Sequence, residues 1–204
     1  KSKEYPRGYF GPNVNPKTGI EFRGGKGNLY EGGLRIPFLV RWPGHISSGR
    51  VSDFVFYQPD MLPTISELCG ARIPNDTDGI SIVPTLIGEE MVGRSQEIHK
   101  MMYWEYLNQV AVRYGNWKAI KTGKGKQSAW ALYDLEADIS EYNDLSLEKP
   151  DILTKMMDFA KKSHRPARPG VYIDPQRQKH NRDRQAKYGF SKNSSFKKNK
   201  NTKD

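Results

Sequence analysis

The stretch RGGKGNLYEGGLRIP, residues 23–37, places five glycines around one lysine and leads into the apolar run FLVRWPG, residues 38–44. Glycine lacks a Cβ atom, so its backbone adopts positive φ readily and can approach a ligand or another backbone closely. Repeated glycines in front of an apolar run predict a tight turn at the edge of a sheet. Lys26 supplies a mobile positive charge in that turn, which makes it a candidate anion site.

Turn chemistry alone also allows a simpler interpretation, in which Lys26 is a solvated lysine of a surface β-turn. A nucleotide-binding P-loop is excluded, because that motif requires Ser or Thr directly after its lysine and Gly27 stands there. The residues of the turn by themselves leave the anion site and the surface turn both open.

Four further blocks follow this motif in a fixed order. They are QPDMLPTI at residues 58–65, DGISIVPTLIG at 78–88, AVRYGNWK at 111–118 and LYDLEAD at 132–138. Together the blocks resemble the sulfatases of the alkaline phosphatase-like superfamily. The resemblance implies an α/β fold class: the C-terminal part of an alkaline phosphatase-like α/β domain, then a small antiparallel sheet of about four strands packed by a C-terminal helix.

The resemblance also implies an activity, that of a sulfuric ester hydrolase. Such enzymes use a formylglycine nucleophile, made from a cysteine in Cys-x-(Pro/Ala)-x-Arg, and a calcium ion held by Asp and Asn residues. In the family both lie upstream of the Gly-Lys-Gly turn, and residues 1–22 contain neither motif. Lys26 occupies the position of the sulfate-binding lysine, so it is the one residue assigned to catalysis and substrate binding. No metal ligand is assigned.

We therefore expect this chain to be inactive alone and to need two partners. One is a sulfate ester substrate, for which a sulfated glycan is an option, and the other is the N-terminal catalytic part of the same protein. Two alternatives remain: a phosphodiesterase or phosphonate monoester hydrolase on the same scaffold, and a non-catalytic module that binds sulfated glycans.

The net charge of +10 belongs to one end of the chain. Residues 161–204 carry 14 Lys and Arg against three Asp, or +11, and residues 1–160 carry 19 against 20, or −1. Interleaved aromatic residues, Tyr172, Tyr188, Phe190 and Phe196, are typical of a polyanion contact, but most charge runs are simply solvated. We expect a basic, mobile extension over residues 163–204 and no nucleic-acid partner.

No apolar run approaches the roughly 20 residues that cross a bilayer, so no membrane partner is expected. The residues give no localisation, and the family resemblance alone suggests a periplasmic or secreted protein. The only cysteine is Cys69. In Cys69–Ile73 the arginine comes one position too early for the formylglycine motif, and the helical pattern predicts a buried, inert thiol. Asp76 and Asp78 do not fit a calcium loop, because Pro74 and Thr85 stand where ligands are needed.

The pattern divides the chain into residues 1–94, the end of the catalytic domain, 95–162, a small α+β subdomain, and 163–204, the extension. A buried strand is predicted at residues 38–42, followed by a helix that Asp60 caps, and a short helix near residues 83–87. The subdomain is predicted to contain strands near residues 99–106, 110–114, 117–121 and 130–135, then a helix that begins near Pro150.

Side chains near the lysine turn receive weaker assignments. Glu31 and Arg35 are expected to pair and to hold the turn in a supporting role. Trp104, Glu105 and Arg113 could line a substrate cleft, but sheet packing explains them equally well, so they stay unassigned.

Overall fold

The computed structural model describes residues 13–15, 17–123, 128–166, 179, 182 and 183. The chain divides into two compact units, Lys1–His164 and Arg165–Asp204. The second unit contributes five described residues, so most of the predicted extension, including its four aromatic residues, lies outside the described residues.

The first unit contains two sheets and five helices among its described residues. The elements are β1 Asn13–Val14, β2 Glu21–Phe22, α1 Glu31–Leu34, a 3₁₀ turn at Gln58–Asp60, α2 Met61–Leu68, α3 Val83–Ile87, α4 Glu89–Val92, β3 Met102–Tyr106, β4 Gln109–Tyr114, β5 Trp117–Thr122, β6 Ala129–Asp134 and α5 Pro150–Ser163. None of these helices is long and apolar enough to cross a bilayer.

The larger sheet is an antiparallel meander in the order β3-β4-β5-β6. Tyr114 pairs with Trp117 across the β4–β5 turn, so two residues connect the strands. Gly115, the first of them, has φ +58°, a conformation that glycine adopts without the steric cost of a Cβ atom. The four predicted strands and the Gly-Asn hairpin are therefore confirmed.

The two faces of this sheet pack against different parts of the chain. On one face Val112, Ala119 and Leu132 are fully buried under Met156 and Ala160 of α5. On the other face Ala111, Ile120 and Tyr133 pack against Leu29, with Tyr30 and Leu34 at the margin. Because side chains alternate along a strand, the sheet joins helix α5 on one side to the segment around α1 on the other.

Helix α5 forms where the sequence predicts it. Pro150 occupies the first turn, where its missing N–H has no intrahelical partner to lose, and Lys161 and Lys162 lie in the last turn. Met156 and Ala160, one turn apart, face the sheet. The antiparallel four-stranded sheet and the C-terminal helix expected from the sequence are confirmed.

The predicted buried strand at residues 38–42 is wrong. Residues 36–57 contain no strand in this structure, and Leu39 is 94% exposed. An apolar segment becomes a strand only if a neighbouring strand completes its backbone hydrogen bonds, and no described residue pairs with this segment.

Two side-chain predictions around α2 are also wrong. Asp60 precedes the helix but does not cap it; its carboxylate accepts hydrogen bonds from the backbone N–H groups of Tyr57, at 2.9 Å, and Ile80, at 2.8 Å. Cys69 is exposed instead of buried, because the apolar side of α2 is uncovered in this structure. Leu62 and Ile65 on this helix are each 52% exposed.

Candidate functional site

The lysine loop, residues 23–30, connects β2 to α1 and has Lys26 at its corner. Asn28 N donates to Gly25 O at 2.9 Å, which closes a four-residue turn. The third residue of that turn, Gly27, has φ +90°, the backbone that a type II turn requires at this position and that glycine supplies. Lys26 is the residue before it and is exposed. The turn thus presents the lysine to solvent on a backbone of defined shape.

Helix α1 lies directly against the backbone of this loop because two of its residues have no side chain. A Cβ atom on Gly33 would lie 2.1 Å from Asn28 O and 2.6 Å from Gly25 O. A Cβ atom on Gly32 would lie 2.5 Å from Arg23 O, to which Gly32 N donates at 2.8 Å. The glycine pair therefore permits a helix-to-loop contact that any larger residue would block.

Gln109, at the start of β4, contacts the loop from the sheet side. Its Nε2 donates to Gly27 O at 3.0 Å, and its Oε1 accepts from Leu29 N at 3.2 Å. These contacts fasten the two peptide groups that flank Asn28. The loop is thereby attached to the small sheet as well as to α1.

A buried charge cluster supports the base of the loop. Lys118, on β5, is fully buried, and its Nζ lies 2.9 Å from Glu31 Oε1 and 2.8 Å from Glu141 Oε1. The other oxygen of Glu141 accepts from Glu31 N at 2.6 Å. One lysine thus pairs with both buried carboxylates, and its single positive charge balances one of their two negative charges. Burial raises the pKa of Glu141, and the Lys118 ammonium opposes that rise only in part.

Arg23, the first residue of the loop, extends this cluster. Its Nη1 donates to Glu141 O at 2.7 Å and to the Tyr133 hydroxyl at 3.1 Å, and its guanidinium lies 4.2 Å from the centre of the Tyr30 ring. Glu141 has φ +57°, a conformation that is unfavourable for a residue with a side chain. Its three side-chain and backbone contacts, to Lys118, Glu31 and Arg23, hold it there.

The predicted pair of Glu31 and Arg35 forms, but weakly. Arg35 Nη1 lies 3.7 Å from Glu31 Oε2, and the arginine side chain is 55% exposed. Glu31 is instead held chiefly by Lys118. Glu31 therefore supports the loop as predicted, but its principal partner is Lys118 and not Arg35.

The unassigned residues of the small sheet are occupied by contacts within it. Glu105 accepts hydrogen bonds from the Tyr103 hydroxyl at 2.7 Å and contacts His164 Nδ1 at 2.8 Å, and these contacts hold the pKa of Glu105 below its ordinary value. Arg113 Nε donates to Gly115 O at 3.0 Å, and Trp104 packs edge-on against Tyr57. These three residues have structural partners and remain without a functional assignment.

Two surface depressions of the first unit lie away from the lysine loop. These open depressions, of about 610 and 350 Å³, are lined by residues 58–97, and no residue of the lysine loop lines either. Among the described residues no three His, Cys, Asp or Glu side chains lie together as a metal site. The described residues thus do not fit the calcium ion that the family resemblance implies, and Cys69 does not fit formylglycine.

Comparison with known proteins identifies the family. Residues 25–164 match the family described as N-sulphoglucosamine sulphohydrolase, C-terminal. This match begins within the lysine loop and ends just after α5. The chain therefore belongs to the C-terminal domain family of the sulfatases.

Individual relatives agree with this result. The chain is 32% identical over 162 residues to an uncharacterized sulfatase of Schizosaccharomyces pombe, a match that covers 74% of this chain and 28% of the relative. It is 37% identical over 136 residues to arylsulfatase A of Bos taurus, covering 64% and 26% of the two chains. The chain thus spans little more than a quarter of the length of these relatives.

A solved structure shares the fold. The crystal structure of i-CgsB in complex with k-i-k-neocarrahexaose superposes with a TM-score of 0.58 at 27% identity, covering 79% of this chain and 36% of that chain. The expected fold class, the C-terminal portion of an alkaline phosphatase-like sulfatase, is confirmed by this similarity and by the relatives above.

The sequence analysis assigned Lys26 to the site, which stays a prediction, and did not single out three residues that hold its loop: Gln109, Lys118 and Glu141. Lys118 alone carried a visible signal. It shares a strand face with Ile120, since side chains alternate, and a lysine in line with a core isoleucine indicates a buried charge with a partner. Glu141 lies in an irregular segment and Gln109 at a strand end, so no periodic pattern marked either of them.

Proposed function

We propose that this chain is the C-terminal part of a sulfatase that hydrolyses sulfate esters, and that Lys26 binds the sulfuryl group. The observation that carries the proposal is an exposed lysine at the corner of a turn held by two glycines of α1, by Gln109 and by a buried charge cluster, in a chain of the sulfatase family. A sulfated glycan is the favoured substrate class, because the structurally similar i-CgsB is in complex with an oligosaccharide.

Lys26 would act by electrostatic stabilisation. During transfer of a sulfuryl group, negative charge spreads over its oxygens and over the leaving alcohol oxygen, and an ammonium fixed beside these atoms lowers the barrier. By analogy with the loss of one oxyanion donor, such a cation contributes about 3–4 kcal/mol. A rigid turn makes this contribution larger, because the charge need not be reoriented during the reaction.

The nucleophile and the calcium ligands are proposed to lie in the N-terminal catalytic part of the same protein. Formylglycine would supply the nucleophile that accepts the sulfuryl group. We expect no turnover from this chain alone, because an ammonium cannot attack sulfur.

The apolar surface of the first unit supports an N-terminal partner. Ile36, Leu39 and Val51 are 72%, 94% and 87% exposed, and the uncovered side of α2 adds Leu62 and Ile65. Several large apolar side chains exposed in one unit are typical of a surface that a partner covers, and an unpaired apolar segment fits the edge of a sheet. We propose that residues 1–94 complete the catalytic domain, that residues 95–162 form the small subdomain, and that residues 163–204 form the extension.

The test is the turnover of the full-length protein with Lys26 replaced. We expect Lys26→Ala to lower kcat/KM for an aryl sulfate at least about 100-fold, the size of effect seen when one charge-stabilising donor is removed. The melting temperature should not change, because Lys26 is an exposed loop residue. The matched control is Lys17→Ala, which removes an exposed lysine from the β1–β2 turn.

Turnover of Lys26→Ala equal to that of Lys17→Ala would remove the assignment of Lys26. Parallel assays with an aryl phosphate distinguish the phosphoesterase alternative. A higher kcat/KM for phosphate than for sulfate in the unchanged protein would contradict the sulfatase proposal.

A further inference from the structure

The side chain of Gln109 joins the small sheet to the lysine loop. Its amide nitrogen donates to Gly27 O and its amide oxygen accepts from Leu29 N, at 3.0 and 3.2 Å. A neighbouring β-strand would offer the same donor and acceptor to the residues on both sides of Asn28. A single side chain thus replaces a strand at this edge of the loop.

The contact falls directly beside the lysine. Gly27 follows Lys26 and has φ +90°, and no side chain of its own limits its motion. Tyr106, the cross-strand partner of Gln109, also adjoins this residue, since a Cβ atom on Gly27 would lie 4.0 Å from its Cε1 atom. The end of the β3–β4 hairpin therefore borders the turn that presents Lys26.

We propose that Gln109 is a positioning residue of the sulfate site: it fixes the Gly25–Asn28 turn so that the Lys26 ammonium meets the sulfuryl group in one orientation. This inference rests on the proposed function, because Gln109 acts only through the backbone of the loop and does not contact the substrate. Misplacement of a reacting group by about 1 Å can cost about 100-fold in rate, so a loosened turn has a measurable effect.

The principal experiment compares Gln109→Leu with the unchanged full-length protein. We expect kcat/KM for an aryl sulfate to fall about 10- to 100-fold, with the larger part of the loss in kcat. Inhibition by inorganic sulfate should weaken in parallel, since the same ammonium binds that anion.

The matched control is Asn108→Leu, one residue earlier, in the β3–β4 turn. The Asn108 amide donates to Gly123 O at 2.9 Å, away from the lysine loop. This variant should keep the kcat/KM of the unchanged protein. The two variants should also differ little in melting temperature, because Gln109→Leu loses two side-chain hydrogen bonds at a half-buried position and Asn108→Leu loses one at an exposed position.

Gln109→Glu supplies a readout that a merely structural role would not change. A carboxylate accepts the Leu29 N–H but cannot donate to Gly27 O, whereas the protonated carboxyl group restores that donor. The activity of Gln109→Glu relative to the unchanged protein should therefore rise as the pH falls toward about 4.3, the ordinary pKa of glutamate.

Each outcome decides the inference. If Gln109→Leu matches Asn108→Leu in kcat/KM and in sulfate inhibition while Lys26→Ala has lost turnover, Gln109 does not position the loop and the sulfate site stands. A relative activity of Gln109→Glu that does not change with pH also counts against positioning. Full turnover of Lys26→Ala would overturn the sulfate site and the role of Gln109 together.

Discussion

Lys118 supports the base of the lysine loop through charge. It is fully buried between two carboxylates, with Nζ at 2.9 Å from Glu31 and 2.8 Å from Glu141, and Glu31 begins the helix on which the loop rests. A buried ion cluster of this kind adds little net stability when complete, because desolvation opposes the attraction. Its loss is costly, since it leaves charges buried without partners.

We expect Lys118→Met to destabilise the protein by about 3–5 kcal/mol, the cost of breaking a buried ion pair from one side. Urea unfolding measures the change. The control is Lys121→Met, which lies on the same strand at a half-buried position and has no role in this cluster. Adding Glu31→Gln and Glu141→Gln to Lys118→Met should recover part of the loss. Equal stabilities of the two single variants would contradict this role.

At the scale of single residues, the sequence predicts a role best when that role depends on residues nearby in the chain. Lys26 was assigned from the glycine turn together with the family resemblance, and that assignment stays a prediction. Gln109 and Glu141, which support the loop, are distant in sequence, 83 and 115 positions away by number. Asp60 was misassigned for the same reason. Its position before α2 indicated a cap, but His99 Nε2 lies 2.7 Å from its carboxylate and competes for it. Such long-range partners leave no local pattern.

Helix α1 is a short element whose sequence is governed by what it packs against. It consists of Glu31–Leu34, and its two central glycines are poor helix formers. They are present because the loop backbone passes where their side chains would be. Close approach, not helix propensity, therefore explains the composition of this element.

Gly33→Ala tests this explanation. Alanine in a helix usually adds stability relative to glycine, but a Cβ here would lie 2.1 Å from Asn28 O, so we expect a loss of about 1–3 kcal/mol. Turnover should fall as well, because the shifted backbone carries Lys26. Gly25→Ala is the control for stability, since its Cβ would be 3.7 Å from its nearest neighbour, Asn13 Nδ2. A stabilised Gly33→Ala would refute the close packing.

Elements were predicted well where their partners are adjacent in sequence. The β4–β5 hairpin and helix α5 carry their own turn and capping signals, and both formed within a residue or two of the predicted bounds. The apolar run at residues 38–42 carried an equally clear signal and formed no strand. A strand forms only when a neighbouring strand completes its backbone hydrogen bonds, and the sequence of this run does not show which segment that would be.

At the scale of the whole molecule, the first unit has one complete side and one uncovered side. The small sheet buries both of its faces, one under α5 and the other under Leu29, Tyr30 and Leu34. In contrast, most of residues 36–57 and the apolar side of α2 are exposed. Matched relatives are more than three times as long as the matched segment, and the proposed N-terminal part would cover this surface.

The central claim is that Lys26 binds the sulfuryl group. A crystal structure of the full-length protein with inorganic sulfate tests it most directly. We predict a sulfate oxygen about 3 Å from Lys26 Nζ, with the Gly25–Asn28 turn held by Gln109, and loss of that sulfate in Lys26→Ala. A sulfate ion bound at the catalytic centre with the Lys26 ammonium directed away from it would contradict the account.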